Sequence, residues 1–260
     1  MHAPLLFPLA AEDPLAKAVA DALAAELGDL EIRRFPDGET YLRYRSAVQD
    51  RSVMLFGSLD RPDPKILPLI FAAGAARELG ARAVGLIAPY LPYLRQDRRF
   101  NPGEAISSRH FAQLLSRDVD WLVTVDPHLH RYKSLSEIYG VPTLALHAAP
   151  LLSDWISREV ERPLLIGPDS ESEQWVGAVA RDAGAPSIVL RKHRRGDREV
   201  EIEAPDIARW SGRTPVLVDD IVSTARTMIE TVRILRISLP PALPGSRPAT
   251  RSRTAATQLM

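Results

Sequence analysis

Six short apolar runs recur along the chain, at residues 53–56, 83–88, 121–125, 164–166, 188–190 and 216–218, with helical patterns between them. Apolar residues stand at consecutive positions in these runs, so both faces of each strand must be buried. Doubly buried strands separated by helices predict an α/β architecture with mainly parallel sheets. Helix ends are legible as well. Asp13 and Pro14 supply an N-cap and a first-turn proline before a helix expected over residues 15–27 and stopped at Gly28. Helices expected over 64–79 and 171–183 end at Gly80 and Gly184, in the position past a helix that glycine favours. Ligands of open parallel sheets gather at the carboxyl ends of the strands. The residues that follow each run are therefore the candidates for function.

Those exits are polar. The most informative follows residues 216–218, where Asp219 and Asp220 precede Ser223, Thr224 and Thr227, and a helical pattern then runs through Met228, Ile229, Val232 and Leu235. A loop that feeds a helix N-terminus offers free backbone N–H groups and a positive dipole end to an anion. The hydroxyls add donors for phosphate oxygens, and paired acids suit a sugar diol or a metal held beside it. No Gly-x-Gly-x-x-Gly follows any run, so a sugar phosphate fits better than a dinucleotide. The structural alternative is an ordinary strand–turn–helix with capping acids.

Four other segments carry chemistry. Phe35, Asp37, Gly38 and Glu39 place an aromatic and two carboxylates around a turn, able to stack on a base and accept from its amine. A plain Pro-Asp-Gly turn between strands explains the same residues. Arg95, Gln96, Asp97 and Arg98 follow residues 83–88 and could grip a polyphosphate through guanidinium forks, or be a solvated charge run. Asp126-Pro127-His128 and Asp169 follow the next two runs. One imidazole with a few carboxylates suits Mg²⁺ carried in with a nucleotide, whereas capping is the simpler reading of both His128 and Asp169. Lys192 and Arg194 are two apart on an extended segment, so both face one side of a two-stranded flap closed by a turn near Gly196.

Composition narrows the class. The 33 basic residues balance 33 acidic ones and are scattered, so nothing argues for nucleic acid. The absence of cysteine excludes disulfides, thiolate zinc sites and Cys nucleophiles. No apolar stretch is long enough to span a membrane and no signal peptide is evident, so a cytoplasmic protein is expected. From Ser238 onward the chain is rich in Pro, Arg, Ser and Thr without helical or strand period, which predicts a disordered tail.

Taken in order, Phe-Pro-Asp-Gly-Glu, Pro-Tyr-x-Pro-Tyr-x-Arg-Gln-Asp-Arg, Asp-x-His, Pro-Asp, Lys-x-Arg and the Asp-Asp loop resemble the ribose-phosphate diphosphokinase (PRPP synthase) family across residues 35–227. The resemblance implies two phosphoribosyltransferase-like α/β domains, at 1–146 and 147–237, with ATP and ribose 5-phosphate bound in their cleft and a tail over 238–260. Phe35, Asp37, Gly38 and Glu39 would hold adenine, reaching from a neighbouring subunit of a homo-oligomer. Arg95 and Gln96 would hold ATP phosphates, and His128 and Asp169 would bind Mg²⁺. Lys192 and Arg194 would sit on a catalytic flap, and Asp219, Asp220, Ser223, Thr224, Ala225, Arg226 and Thr227 would bind ribose 5-phosphate. Two departures stand out. Ala225-Arg226 replace the glycine pair of the family loop, and the tail replaces further strands, which predicts an incomplete second domain. An impaired, regulatory family member and a phosphoribosyltransferase are the competing expectations.

Overall fold

The computed structural model describes residues 3–10, 13–195, 199–203, 207–221 and 225–238. Backbone packing divides the chain into two compact units, with the division between Leu146 and His147.

The first unit contains β1 (Leu5–Pro8), α1 (Pro14–Ala22), β2 (Glu26–Leu27), β3 (Leu30–Arg34), β4 (Thr40–Tyr44), β5 (Ser52–Phe56), α2 (Asp63–Glu78), β6 (Ala83–Ala88), α3 (Ser107–Asp118), β7 (Trp121–Val125) and β8 (Thr143–Leu146). Six strands form one parallel sheet in the order β2-β1-β5-β6-β7-β8, and β3 and β4 pair as an antiparallel hairpin. Strand alternation assigns the two faces. Leu5, Phe7, Val53, Leu55, Val84 and Leu86 pack against Ala72, Ala73 and Ala76 of α2 and Phe111, Ala112 and Leu115 of α3. Leu6, Met54 and Phe56 point the other way, onto Ala16 and Ala20 of α1. Each fully buried Leu or Phe here contributes about 1.5–3 kcal/mol.

The expected strands at 53–56, 83–88 and 121–125 are β5, β6 and β7. Helix α1 departs from expectation. Asp13 caps it as foreseen, its Oδ1 accepting from Leu15 N at 2.9 Å and Ala16 N at 3.3 Å. It ends at Ala22 and does not reach residue 27, because Ala24 turns left-handed (φ 49°) and Ala25 N donates back to Ala20 O at 2.9 Å. Glu26 and Leu27 then join the sheet beside β1. Gly28 is required for another reason than helix capping: a Cβ there would lie 2.1 Å from the Phe7 ring.

The second unit contains α4 (Ala149–Glu159), β9 (Pro163–Gly167), α5 (Glu173–Asp182), β10 (Ser187–Val189), β11 (Arg191–Arg195), β12 (Glu199–Glu203), β13 (Thr214–Leu217) and α6 (Arg226–Ser238). Its sheet has the parallel order β10-β9-β13, while β11 and β12 form an antiparallel hairpin. Leu165 faces Val176 and Val179 of α5 and Ile156 of α4. Leu164, Ile166 and Ile188 face the opposite way, with Leu235 of α6. The buried Ser153 hydroxyl donates to Ala149 O (2.7 Å) and lies within hydrogen-bond reach of Val179 O (3.0 Å), tying α4 to α5. The tail was expected from residue 238; Ser238 is the last residue of α6, and residues 239–260 lie outside the described residues. Among the described residues no helix is long and apolar enough to cross a membrane.

Gly85 on β6 is opposite Trp121 on β7, whose indole lies so close that a Cβ at Gly85 would sit 1.9 Å from a ring atom. Gly85→Ala should therefore cost about 1–3 kcal/mol by overpacking, read as a lower urea midpoint. The same change should cost much less in a Trp121→Leu background. Equal costs in both backgrounds would show that the indole does not set the constraint.

Candidate functional site

In the first unit three candidate segments follow from the strands. The hairpin β3–β4 closes through a turn in which Phe35 N donates to Glu39 O (2.8 Å) and Gly38 N to Phe35 O (2.9 Å). Asp37 spends one oxygen on this turn, accepting from Glu39 N at 3.1 Å. Gly38 has φ 94° with open space around it, which suits close approach of a ligand. The Phe35 ring is 39 % exposed and meets Tyr41 edge-on at 5.9 Å. The backbone is the tight turn expected between two strands, and the Phe35 ring beside it is exposed. Two residues were missed there. Arg33 lies 3.9 Å over the Tyr41 ring and 4.8 Å over Phe35, and Arg34 donates to Gly38 O (2.8 Å) and Pro64 O (3.0 Å), pinning the turn to the start of α2. The hairpin register sets Arg33 opposite Tyr41.

The loop after β6 carries Arg95, which is exposed, and Gln96, whose side-chain oxygen accepts from Ser107 Oγ at 2.6 Å. Its neighbour Asp97 is no part of a solvated charge run: it is 6 % exposed and ion-paired with Arg131. The loop after β7 opens with Asp126 in a left-handed conformation (φ 43°), a strained geometry for a residue with a side chain. It leads to His128, whose ring meets that of His130 edge-on at 4.3 Å. The segments bearing Arg95, Gln96 and His128 therefore leave neighbouring strands on the same edge of one sheet.

In the second unit the exits of β9 and β13 bring carboxylates together. Asp169 accepts from Ser172 N at 3.3 Å and so caps the single 3-10 turn at Ser170–Ser172. Asp219 is half-buried, and Asp220 N donates to its Oδ1 at 3.1 Å. Burial first, then the charges of Asp220 and Asp169, push the Asp219 carboxyl up to about 7. The fold thus favours the protonated acid, a contribution present at low pH and lost as pH rises through about 7. Crowded oxygen donors of this kind fit a hard cation, or a sugar diol that donates hydrogen bonds. Among the described residues no three His, Asp or Glu side chains are grouped closely enough to hold a metal by themselves.

Ser223 and Thr224 lie outside the described residues. Ala225 is described, and its φ is 56°. The backbone therefore keeps the left-handed conformation that glycine adopts freely, with alanine in its place. Ala225 O accepts from Ile229 N at 2.8 Å, which seats the residue at the start of α6, whose first two residues are Arg226 and Thr227. Lys192 and Arg194 lie on β11, in register with Ile202 and Val200 of β12, so their alternation sets both on one face of the hairpin. For residues 191–195 and 199–203 the backbone is described, not the side chains.

Ala225→Gly tests the strain directly. Relief of the left-handed alanine, less the greater freedom of glycine in the unfolded chain, should stabilise the protein by about 0.5–1 kcal/mol in urea denaturation. A loss of stability would mean that the loop does not demand positive φ there.

Residues 5–118 match the family model described as the N-terminal domain of ribose phosphate pyrophosphokinase, and residues 134–240 match a phosphoribosyl transferase domain. The chain is 39 % identical over 225 residues to a ribose-phosphate pyrophosphokinase of Methanopyrus kandleri, covering 85 % of this chain and 76 % of that protein. It is 35 % identical over 228 residues to one of Thermoplasma acidophilum, covering 88 % and 78 %. A crystal structure of phosphoribosylpyrophosphate synthetase from Mycobacterium smegmatis superposes with a TM-score of 0.78 at 25 % identity, covering 92 % of this chain and 78 % of that one. The chain belongs to the ribose-phosphate pyrophosphokinase family.

Proposed function

We propose that this protein is a ribose-phosphate diphosphokinase, moving the β,γ-diphosphoryl group of ATP to the anomeric hydroxyl of ribose 5-phosphate and releasing AMP. The observation that carries this reading is the pairing of two matched domains in one chain. A pyrophosphokinase N-terminal domain bears the Phe35 turn and the Arg95 loop, and a phosphoribosyl transferase domain bears the Asp219 loop. A phosphoribosyltransferase would need the second alone. The left-handed Ala225 favours an active protein over an impaired one, since that residue keeps a backbone conformation that the family's glycine adopts freely.

Catalysis in such a transfer is mostly positioning and neutralisation of charge. The sugar hydroxyl attacks the β-phosphorus, the bond from that phosphorus to the α-phosphate oxygen breaks, and the hydroxyl proton passes to solvent. Phe35 stacks on adenine, and Asp37, Gly38 and Glu39 hold its edge. Arg95 and Gln96 hold the phosphates. Asp219 and Asp220 orient the ribose hydroxyls, while Ser223, Thr224, Ala225, Arg226 and Thr227 hold the 5-phosphate on backbone and hydroxyl donors at the start of α6. Lys192 and Arg194 offset the charge that spreads in the transition state. Mg²⁺ supplies charge neutralisation on the phosphate oxygens when it is bound, and His128 and Asp169 are the residues that would hold it.

We read the protein as a cytoplasmic homo-oligomer. The edge strand β8 presents Leu144 and Leu146, 54 % and 47 % exposed, which supports a further subunit packing there.

Purified protein with Mg²⁺, ATP and ribose 5-phosphate should yield AMP and PRPP, and neither without the sugar phosphate. Lys192→Ala should then lower kcat by about two powers of ten or more with little change in KM, the effect of losing one preorganised donor. A near-normal kcat would remove Lys192 from the mechanism, and ATP left intact by the wild type would contradict the reading as a whole.

A further inference from the structure

Asp97 is buried between the exposed Arg95 and Arg98 in the loop after β6. Its side chain is 2 % exposed, and Arg131 Nη1 donates to both of its oxygens, at 2.7 and 3.0 Å. The two residues belong to different loops. Asp97 follows β6 and adjoins Arg95 and Gln96, while Arg131 follows β7, three residues beyond His128. Tyr132 repeats the connection, its hydroxyl donating to Asp97 O at 3.3 Å and lying 3.2 Å from Ser108 Oγ at the start of α3. Phe100 lies 5.6 Å beneath Arg131 and 4.8 Å beneath Arg98, so the same guanidinium also packs on the outer part of the first loop.

With the Arg131 side chain 43 % exposed the pair is only half-buried, and such an ion pair contributes little to stability on its own. Its distinctive property is geometry: a bonded carboxylate and guanidinium permit few relative orientations. Here that constraint joins two loops that carry separate candidate residues. We infer that the Asp97–Arg131 pair is a positioning latch, holding the Arg95 and Gln96 segment in fixed register with the His128 segment so that both meet one triphosphate and its cation. This inference rests on the function proposed above and adds two residues that touch neither substrate.

The test compares wild type, Arg131→Met and the double variant Asp97→Asn/Arg131→Met. Arg131→Met leaves a buried unpaired carboxylate, whereas the double variant removes both charges and keeps the shape of Asp97. Amide hydrogen exchange of residues 95–98 should speed up about tenfold or more in Arg131→Met, the response of a segment released from a tether. The KM for ATP should rise about tenfold while that for ribose 5-phosphate stays within about twofold, as expected of lost positioning at one substrate alone. The double variant should regain the wild-type melting temperature but neither the slow exchange nor the ATP KM. Should Arg131→Met fail to fold, Arg131→Lys keeps the charge, loses the planar guanidinium and its packing on Phe100, and should give the same pattern in weaker form. Recovery of the ATP KM in the double variant, or an equal rise in both KM values, would make the pair merely structural and overturn the latch. Unchanged exchange at 95–98 would overturn it whatever the turnover. Absence of PRPP from wild type would instead overturn the functional reading, with the exchange result still deciding the latch.

Discussion

A parallel sheet persists only when helices cover both its faces, because each strand turns apolar side chains alternately to either side. That constraint governs the first unit. Leu5 and Phe7 must find α2 and α3 while Leu6 finds α1, and connections long enough to carry those helices bring every strand back in the same direction. Strand exits consequently collect on one edge of the sheet. The second unit obeys the same rule with three strands, with α4 and α5 on one face and α6 on the other. Function can be assembled from loops distant in sequence because the sheet has already brought their origins together.

What those loops do depends on how firmly they are held. The Phe35 turn is held by Arg34, and the Arg95 loop by Ser107, Tyr132 and the Asp97–Arg131 pair. The carboxylates at the exits of β9 and β13 are crowded instead, and burial, reinforced by the charges of Asp220 and Asp169, lifts the Asp219 carboxyl. The first unit thus holds tethered cationic and aromatic groups, and the second a set of crowded carboxylates.

The sequence exposed this plan unevenly, and the reasons are physical. β6 and β7 were legible because consecutive apolar residues leave few other structures open, and the exits after them followed at once. β1 was not, since its four residues end in Pro8 and sit close to the N-terminus. α3 escaped because its buried stripe is narrow, with Phe111, Ala112 and Leu115 set among arginines and serines. The end of α1 was misplaced because Gly28 resembles a helix stop, whereas it answers to the Phe7 ring, a contact made through the sheet. Candidate residues with distinctive local chemistry, such as Phe35 and Asp219, could be picked out from the sequence. The burial of Asp97 could not, because its partner lies 34 residues further on and nothing local distinguishes it from Arg98.

The proposed reaction directs a sugar hydroxyl to the β-phosphorus of ATP. The most direct test follows an ¹⁸O label placed in the bridge between the α- and β-phosphorus of ATP during turnover with ribose 5-phosphate and Mg²⁺. Attack at the β-phosphorus should leave that oxygen wholly in AMP, with equimolar PRPP formed. Label found in the diphosphoryl product, or ADP in place of AMP, would contradict it.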